Sequence, residues 1–395
     1  MSPQTPPQPL SRLHELDGLR GLLALYVALY HLAAPLSQPG MALAWLRPLL
    51  DPAWFAVDMF FVMSGFVMAH VYGTAFTPPV GAATLRRFFV ARLARLYPVH
   101  LFALLVMAVG IVPFIHHTPA FTDPDGRFAW SAALASLLML HGPWLDHRSW
   151  NYPAWSISAE WHAYLLFALI FPMLAQALAR WPARWQSGAA LALIAVGVAI
   201  PFALYRFGTG SGNEMHPTNG LPVLARVLPL FLAGVAAHRL RTAAVTGHNG
   251  FALLAVGGIA WLLFSDTTSH PHASAAAVLL APALLLATQG HAGLRRAMSR
   301  PALLWLGAIS YSLYMTHALV EMYGVNLALR WSARFGGVDL TAQPLAAGAV
   351  LVAATLAALA LGAFTWRWVE LPGRRWVMRW ADAPRSAQLQ RAGAP

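Results

Sequence analysis

The stretch that decides the fold runs from Leu19 to Leu36, LRGLLALYVALYHLAAPL, an apolar run long enough to cross a bilayer as one helix. Two ionisable residues interrupt it, Arg20 and His31, eleven positions apart. At roughly 100° per residue that step returns to nearly the same helix face, and at about 1.5 Å of rise it separates the pair by about 16 Å, half a bilayer. A cation at one membrane edge then sits below an imidazole deep inside the span. Ionisable groups are costly in hydrocarbon, so this histidine is a functional candidate, with a plain interhelical hydrogen bond as the competing explanation.

Composition carries the same reading outward. Of 395 residues 58% are hydrophobic and 10% charged, and the mean hydropathy is +0.56, the balance of a polytopic membrane protein rather than a soluble domain. The net charge of +12 comes from arginine alone, since the chain contains no lysine. In such a protein a basic excess points to topology-setting loops rather than to nucleic acid. The absence of cysteine excludes a disulfide framework, an all-cysteine metal site and a cysteine acyl-enzyme. The proline-rich segment Met1 to Pro9 has no basic region ahead of a cleavable apolar core, so no signal peptide is expected and the first helix directs insertion.

Further apolar stretches run from Trp54 to Tyr72, Leu96 to Phe114, Trp155 to Leu178, Gly188 to Leu204 and Leu221 to Ala237. They continue from Phe251 to Phe264, Ala273 to Ala287, Leu303 to Val325 and Pro344 to Trp366, which predicts ten spans in all. The segment Ala129 to Leu140 is too short to span and reads as an interfacial helix. With a cytoplasmic N-terminus, the inner loops gather Arg86, Arg87, Arg92 and Arg95, then Arg180, Arg184, Arg239, Arg241, Arg295, Arg296 and Arg300, and the tail adds Arg374, Arg375 and Arg379. The outer loops hold isolated arginines, so the positive-inside rule places both termini in the cytoplasm. The expected fold is all-α, an integral membrane bundle of about ten transmembrane helices. One membrane domain, 16–373, lies between cytoplasmic tails 1–15 and 374–395.

In this topology His31 and Asp58 lie near one level in the outer half of the membrane. An imidazole held by a carboxylate is oriented and made more basic, as a general base requires, and a salt bridge joining two helices is the plainer account. Ser156, Glu160 and Tyr164 fall on one helical stripe at i, i+4 and i+8. Glu160 is either a catalytic carboxylate or a residue favoured there by the helix dipole. Tyr314 and His317, on adjacent turns, can line a cavity, and Arg226 enters from the same side with Asp58 or Glu160 as its expected partner. These groups are expected to converge on one outward vestibule.

A different chemistry gathers at the cytoplasmic end, where Arg86, Arg87, Arg92 and Arg95 join Arg20 and Arg239. Guanidinium forks match phosphate oxygens and could hold a polyphosphate such as the nucleotide end of CoA; contact with anionic lipid is the alternative. There is no Gly-rich phosphate loop, no His-Glu-x-x-His and no Gly-x-Ser-x-Gly, and no metal site is expected.

Six stretches in order resemble the acyltransferase 3 family of membrane acyltransferases. They are Leu16-Asp-Gly-Leu-Arg20-Gly21 with His31, Val57-Asp58 through Ser64-Gly65-Phe66, and Arg92-Leu-Ala-Arg95-Leu-Tyr97-Pro98. They continue with Trp155-Ser-Ile-Ser-Ala-Glu160, Gly307 through Tyr314 to His317, and Val369-Glu370-Leu-Pro372-Gly373. The resemblance implies a cytoplasmic acyl-CoA donor, commonly acetyl-CoA, and an outer glycan or small-molecule acceptor whose hydroxyl is O-acylated. It implies a multi-pass protein of the bacterial inner membrane. Arg20 with His31 match the family's Arg-x10-His signature and Arg92 with Arg95 its Arg-x-x-Arg element. On this reading His31 is the general base, assisted by Asp58 or Glu160, with Tyr314, His317 or a backbone amide stabilising the oxyanion, and the homo-oligomeric state is left open. An acyl-histidine intermediate is a second route. The alternative from another class is a proton-coupled transporter or flippase using the same intramembrane His, Asp and Glu, although no internal repeat of the kind transporters show is evident.

Overall fold

Long runs of Ala, Leu, Val and Phe with few interior breakers leave the helix as the structure that satisfies every backbone group in lipid. The computed structural model describes residues 12–117, 126–207, 216–242, 275–337 and 339–392, with a few positions between 250 and 260. Among the described residues there is no strand. The principal helices are α1 (His14–Ala33), α2 (Trp54–Tyr72), α3 (Ala82–His117), α4 (Trp130–Leu137), α5 (Trp155–Ala179) and α6 (Ala183–Phe207). They continue with α7 (Pro222–Thr242), α8 (Ala281–Gly290), α9 (Ala292–Met298), α10 (Pro301–Val320), α11 (Pro344–Thr365) and α12 (Leu371–Ala392).

Among the described residues eight helices are long and apolar enough to cross a membrane, or nine if a bent pair is counted as one span. The pair is the segment through α8 followed by α9, which meet at 89°. The turn is at His291, whose side chain caps α9 by accepting the Leu294 N–H. These spans correspond to nine of the predicted stretches, and the tenth, Phe251 to Phe264, lies largely outside the described residues. The segment expected to be interfacial forms the eight-residue α4. α10 is prolonged by a π-helical turn, Glu321–Val325, and α11 is joined to α12 by another, Trp366–Glu370.

Lipid offers no hydrophobic drive for helices to associate, so close backbone approach has to supply the dispersion energy. Two parallel pairs achieve it through glycine. A Cβ at Gly18 would fall 1.8 Å from the Met298 carbonyl oxygen, and one at Gly21 would fall 2.5 Å from the Gly307 nitrogen, so α1 lies directly on the α9–α10 backbone. A Cβ at Gly65 of α2 would stand 1.9 Å from the Phe231 oxygen of α7, and one at Gly234 of α7 would stand 1.9 Å from the Val62 oxygen. The arginines of α3 and α12 gather at one end of the bundle with Arg20, and Arg239 and Arg241 close the same end of α7, whereas Arg226 sits at the opposite end of that helix beside Asp58. His31 and His317 lie toward the other end.

The second pair is also fastened by charge. Asp58 on α2 is 0% exposed and accepts hydrogen bonds from Arg226 Nε on α7 and from the Tyr205 hydroxyl on α6, both at 2.8 Å. Arg226, 1% exposed, also donates from Nη1 to the Pro217 carbonyl at 3.1 Å and from Nη2 to the Trp54 carbonyl at 3.4 Å. A buried pair with further hydrogen bonds around it is tolerated, and removal of one member strands the other. Thermal unfolding in detergent is expected to show Gly65→Ala weakened by about 1–3 kcal/mol through overpacking. Asp58→Asn is expected to lose about 3–5 kcal/mol because Arg226 loses its counter-charge. An Asp58→Asn midpoint equal to wild type would remove the pair from its locking role.

Candidate active site

The α1–α10 contact decides what surrounds His31. Because the two helices run parallel from Gly18 and Gly307, His31 and His317 arrive side by side, with His31 Nδ1 3.2 Å from His317 Nε2. His31 Nδ1 is also 2.9 Å from the Val27 carbonyl oxygen one turn earlier. A carbonyl can only accept, so Nδ1 carries the proton and shares it between Val27 and His317. In the neutral ring the lone pair therefore belongs to Nε2, the atom left for proton abstraction. His317 is 0% exposed, whereas His31 is partly accessible.

Aromatic rings complete the setting. Tyr30 meets the His31 ring edge-on at 4.9 Å between centroids, and Tyr152, at the start of α5, lies 4.9 Å from His31 and 6.0 Å from His317. Tyr314 stands one turn before His317, its ring 5.9 Å away, and its hydroxyl lies 2.9 Å from Ser156 Oγ on α5. The Tyr152 hydroxyl donates to Glu321 Oε2 at 2.6 Å, and Asn326 Nδ2 lies 3.4 Å from the other oxygen.

The α5 stripe continues away from the histidines. Glu160 Oε1 accepts from Ser64 Oγ at 2.5 Å and from the Tyr164 hydroxyl at 2.6 Å. The Arg92 guanidinium lies over both the Tyr164 ring, at 5.6 Å, and the Tyr72 ring, at 5.2 Å, and it donates to the Tyr72 hydroxyl at 3.0 Å. Arg20 pairs with Asp17 at 3.5 Å and lies within electrostatic range of Glu160, Tyr164 and Arg95. Ser156, Glu160 and Tyr164 thus form a polar seam whose ends touch the histidine site through Tyr314 and the arginines through Arg92.

Two expectations are corrected by this geometry. Asp58 does not hold His31; its two oxygens are taken by Arg226 and Tyr205, and the histidine is oriented by a backbone carbonyl and a second histidine. Glu160 does not hydrogen-bond His31 either; one turn along the same face of α5 from Ser156, it accepts from Ser64 and Tyr164 and lies within electrostatic range of both Arg20 and Tyr314. Arg226 does have Asp58 as its partner, one of the two that its burial required.

The arginines expected to act together also divide. Arg86 is exposed and donates to the Ala381 carbonyl of α12 at 2.9 Å, and Arg87 is exposed on α3. Arg95 forms an ion pair with Glu370, which also accepts from Ser312 Oγ at 2.8 Å, so much of its charge is neutralised inside the protein. Arg92 keeps a buried Nε with no partner among the described residues. Three groups beside the histidines were not singled out in the sequence: Tyr152, Glu321 and Asn326. Tyr152 sits in a stretch that reads as helix entry. Glu321 is a carboxylate one turn past His317 within the predicted span Leu303 to Val325, and that spacing was a usable signal. Among the described residues no group of three or more His, Cys, Asp or Glu side chains is placed to hold a metal.

Comparison with known proteins bears on what this arrangement does. The chain is 29% identical over 378 residues to acyltransferase MdmB of Streptomyces mycarofaciens, covering 87% of this chain and 91% of that protein. It is 31% identical over 211 residues to protein 2 in the picA locus of Rhizobium radiobacter, covering 50% of this chain and 95% of that protein. No solved structure matches it. The family described as "Acyltransferase domain" matches residues 13–363, a stretch that contains the arginine seam and both histidines. A multi-pass membrane protein with this match belongs to the acyltransferase 3 family.

Proposed function

We propose that this acyltransferase moves an acyl group, acetyl in the simplest case, from acyl-CoA to a hydroxyl of a glycan or small molecule on the opposite side of a bacterial inner membrane. The observation that carries the reading is the polar seam. It begins at Arg92 and Arg20, passes Tyr164, Glu160 and Ser156, and ends at Tyr314 beside His317 and His31. Interhelical hydrogen bonds account for each contact singly, and a long thioester-bearing substrate accounts for a continuous line between the two ends.

In this account the arginine-rich end faces the cytoplasm and receives the nucleotide end of CoA. Arg92 is the principal phosphate ligand because its buried Nε still has a donor to give, with Arg20, Arg86 and Arg87 adding charge. Arg95 positions α3 against the π-helical turn between α11 and α12 through Glu370 and serves the site indirectly. The pantetheine arm lies along the seam, and its reach suits the half-bilayer step between Arg20 and His31.

At the far end His31 Nε2 takes the proton of the acceptor hydroxyl as its oxygen attacks the thioester carbonyl. The imidazolium is stabilised by Val27 and His317, which share the Nδ1 proton. The tetrahedral oxyanion accepts a hydrogen bond from the Tyr314 hydroxyl, which Ser156 holds in place. Collapse breaks the carbon–sulfur bond, and the CoA thiolate leaves with the proton from His31.

Release of free CoA from acetyl-CoA by purified protein in proteoliposomes, with a crude envelope glycan extract as acceptor, tests the chemistry. His31→Ala is expected to lower acceptor-stimulated release by about 10²–10⁴-fold, the usual scale of general-base catalysis. Undiminished release would remove His31 from the mechanism. Arg92→Ala is expected to weaken acetyl-CoA binding by about tenfold or more, since a charged hydrogen bond is worth about 1.5–3 kcal/mol. Equal affinity would place CoA elsewhere.

A further inference from the structure

Glu321 is a carboxylate held beside the proposed catalytic centre by neutral donors, and the chemistry at His31 does not use it. It opens the π-helical turn Glu321–Val325 directly after α10, four residues beyond His317. Single π-helical turns re-aim side chains and occur often at functional positions. Here Glu321 meets Tyr152, in the 3-10 turn just before α5, at 2.6 Å, and lies near Asn326, at 3.4 Å. Tyr152 in turn lays its ring against both histidines.

The arrangement is costly if it is only structural. Glu321 is partly buried, and a carboxylate withdrawn from water is destabilising unless its lone pairs are matched. It has about four acceptor sites, and Tyr152 and Asn326 occupy two, the second weakly. The cations of this end act from a distance. The Arg127 guanidinium lies over the Tyr152 ring at 5.5 Å, and Arg148 is exposed and within electrostatic range of Glu321 and His31. What remains on Glu321 is acceptor capacity, and an acceptor recognises a donor.

We propose that Glu321, braced by Tyr152 and Asn326, positions the acceptor by accepting a hydrogen bond from a second hydroxyl, adjacent to the one being acylated, on a polyhydroxylated ring. The proposal rests on the acyl-transfer reading above and adds the acceptor's chemistry to it. One hydroxyl meets His31 Nε2 and its neighbour meets Glu321, so the pair of groups selects both the ring and the position that reacts. Glu321 touches no reacting atom and is a positioning residue.

The probe is methyl α-D-glucopyranoside with its four mono-deoxy analogues, assayed in proteoliposomes with acetyl-CoA as donor. In wild-type protein one deoxy analogue is expected to have kcat/KM lower by about ten- to hundredfold, the value of a hydrogen bond to a charged group. Glu321→Gln is expected to raise the acceptor KM by about tenfold while the KM for acetyl-CoA stays within twofold. It is also expected to erase most of the wild-type discrimination against that analogue, and Tyr152→Phe is expected to erase part of it.

A purely structural role would give a different pattern, with kcat falling equally for every analogue and the discrimination profile unchanged. That pattern would overturn the proposal, as would wild-type protein that acylates a simple alcohol such as 1-octanol and none of the glycosides. Wild-type protein that neither binds acetyl-CoA nor releases CoA with any acceptor would overturn the acyl-transfer reading itself, and this proposal with it.

Discussion

The close approach of α1 to the α9–α10 backbone is the constraint on which the rest of the site depends. Gly18 and Gly21 leave no room for a side chain against Met298 and Gly307, and the two helices consequently run parallel at a fixed rotation. That rotation carries His31 to His317 and leaves its Nδ1 on the Val27 carbonyl. A larger residue in this contact would separate the helices by more than a hydrogen bond tolerates, so small residues far from the histidines hold His317 against the proposed base. The α2–α7 pair repeats the principle through Gly65 and Gly234, with Asp58 and Arg226 as the electrostatic fastener.

The seam along α5 follows from the same geometry. Its three polar residues lie at i, i+4 and i+8, and each finds a partner on a different neighbour: Ser156 on α10, Glu160 on α2, and Tyr164 under Arg92 of α3. Polar groups in lipid that are all satisfied by protein stiffen the bundle, because each bond would be lost if a helix rotated. The acyl-transfer account gives this seam a second purpose, a route between two chemically distinct ends.

Much of this was legible in the sequence. Long apolar runs dictated an all-helical membrane bundle, and the eleven-residue step from Arg20 to His31 put the cation and the imidazole on one face. The α5 stripe was readable from helical periodicity, as was the neighbourhood of Tyr314 and His317. One pairing across helices was readable, Arg226 with a carboxylate such as Asp58, because a buried guanidinium demands a counter-charge; the others were not. Asp58 and His31 lie at similar depth, yet depth says nothing of rotation, and Asp58 turned to Arg226 and Tyr205 because the glycine contacts lock α2 against α7. Spacing marked four equivalent arginines on α3, but the structure distinguishes them, since Glu370 occupies Arg95 while Arg92 retains a donor. The π-helical turn after α10 breaks the 3.6-residue period by which side-chain directions are inferred, so the meeting of Glu321 with Tyr152 follows only from the fold.

The central claim is that the acyl group crosses from the arginine-rich end to the histidine end within the protein. The most direct measurement is sided. Proteoliposomes of known orientation are loaded with acyl-labelled acetyl-CoA on the side of α12, and envelope glycan is supplied only on the opposite side. The account predicts labelled glycan on that opposite side, with free CoA retained where the donor was supplied. Labelling that occurs only when donor and acceptor share a compartment would contradict it.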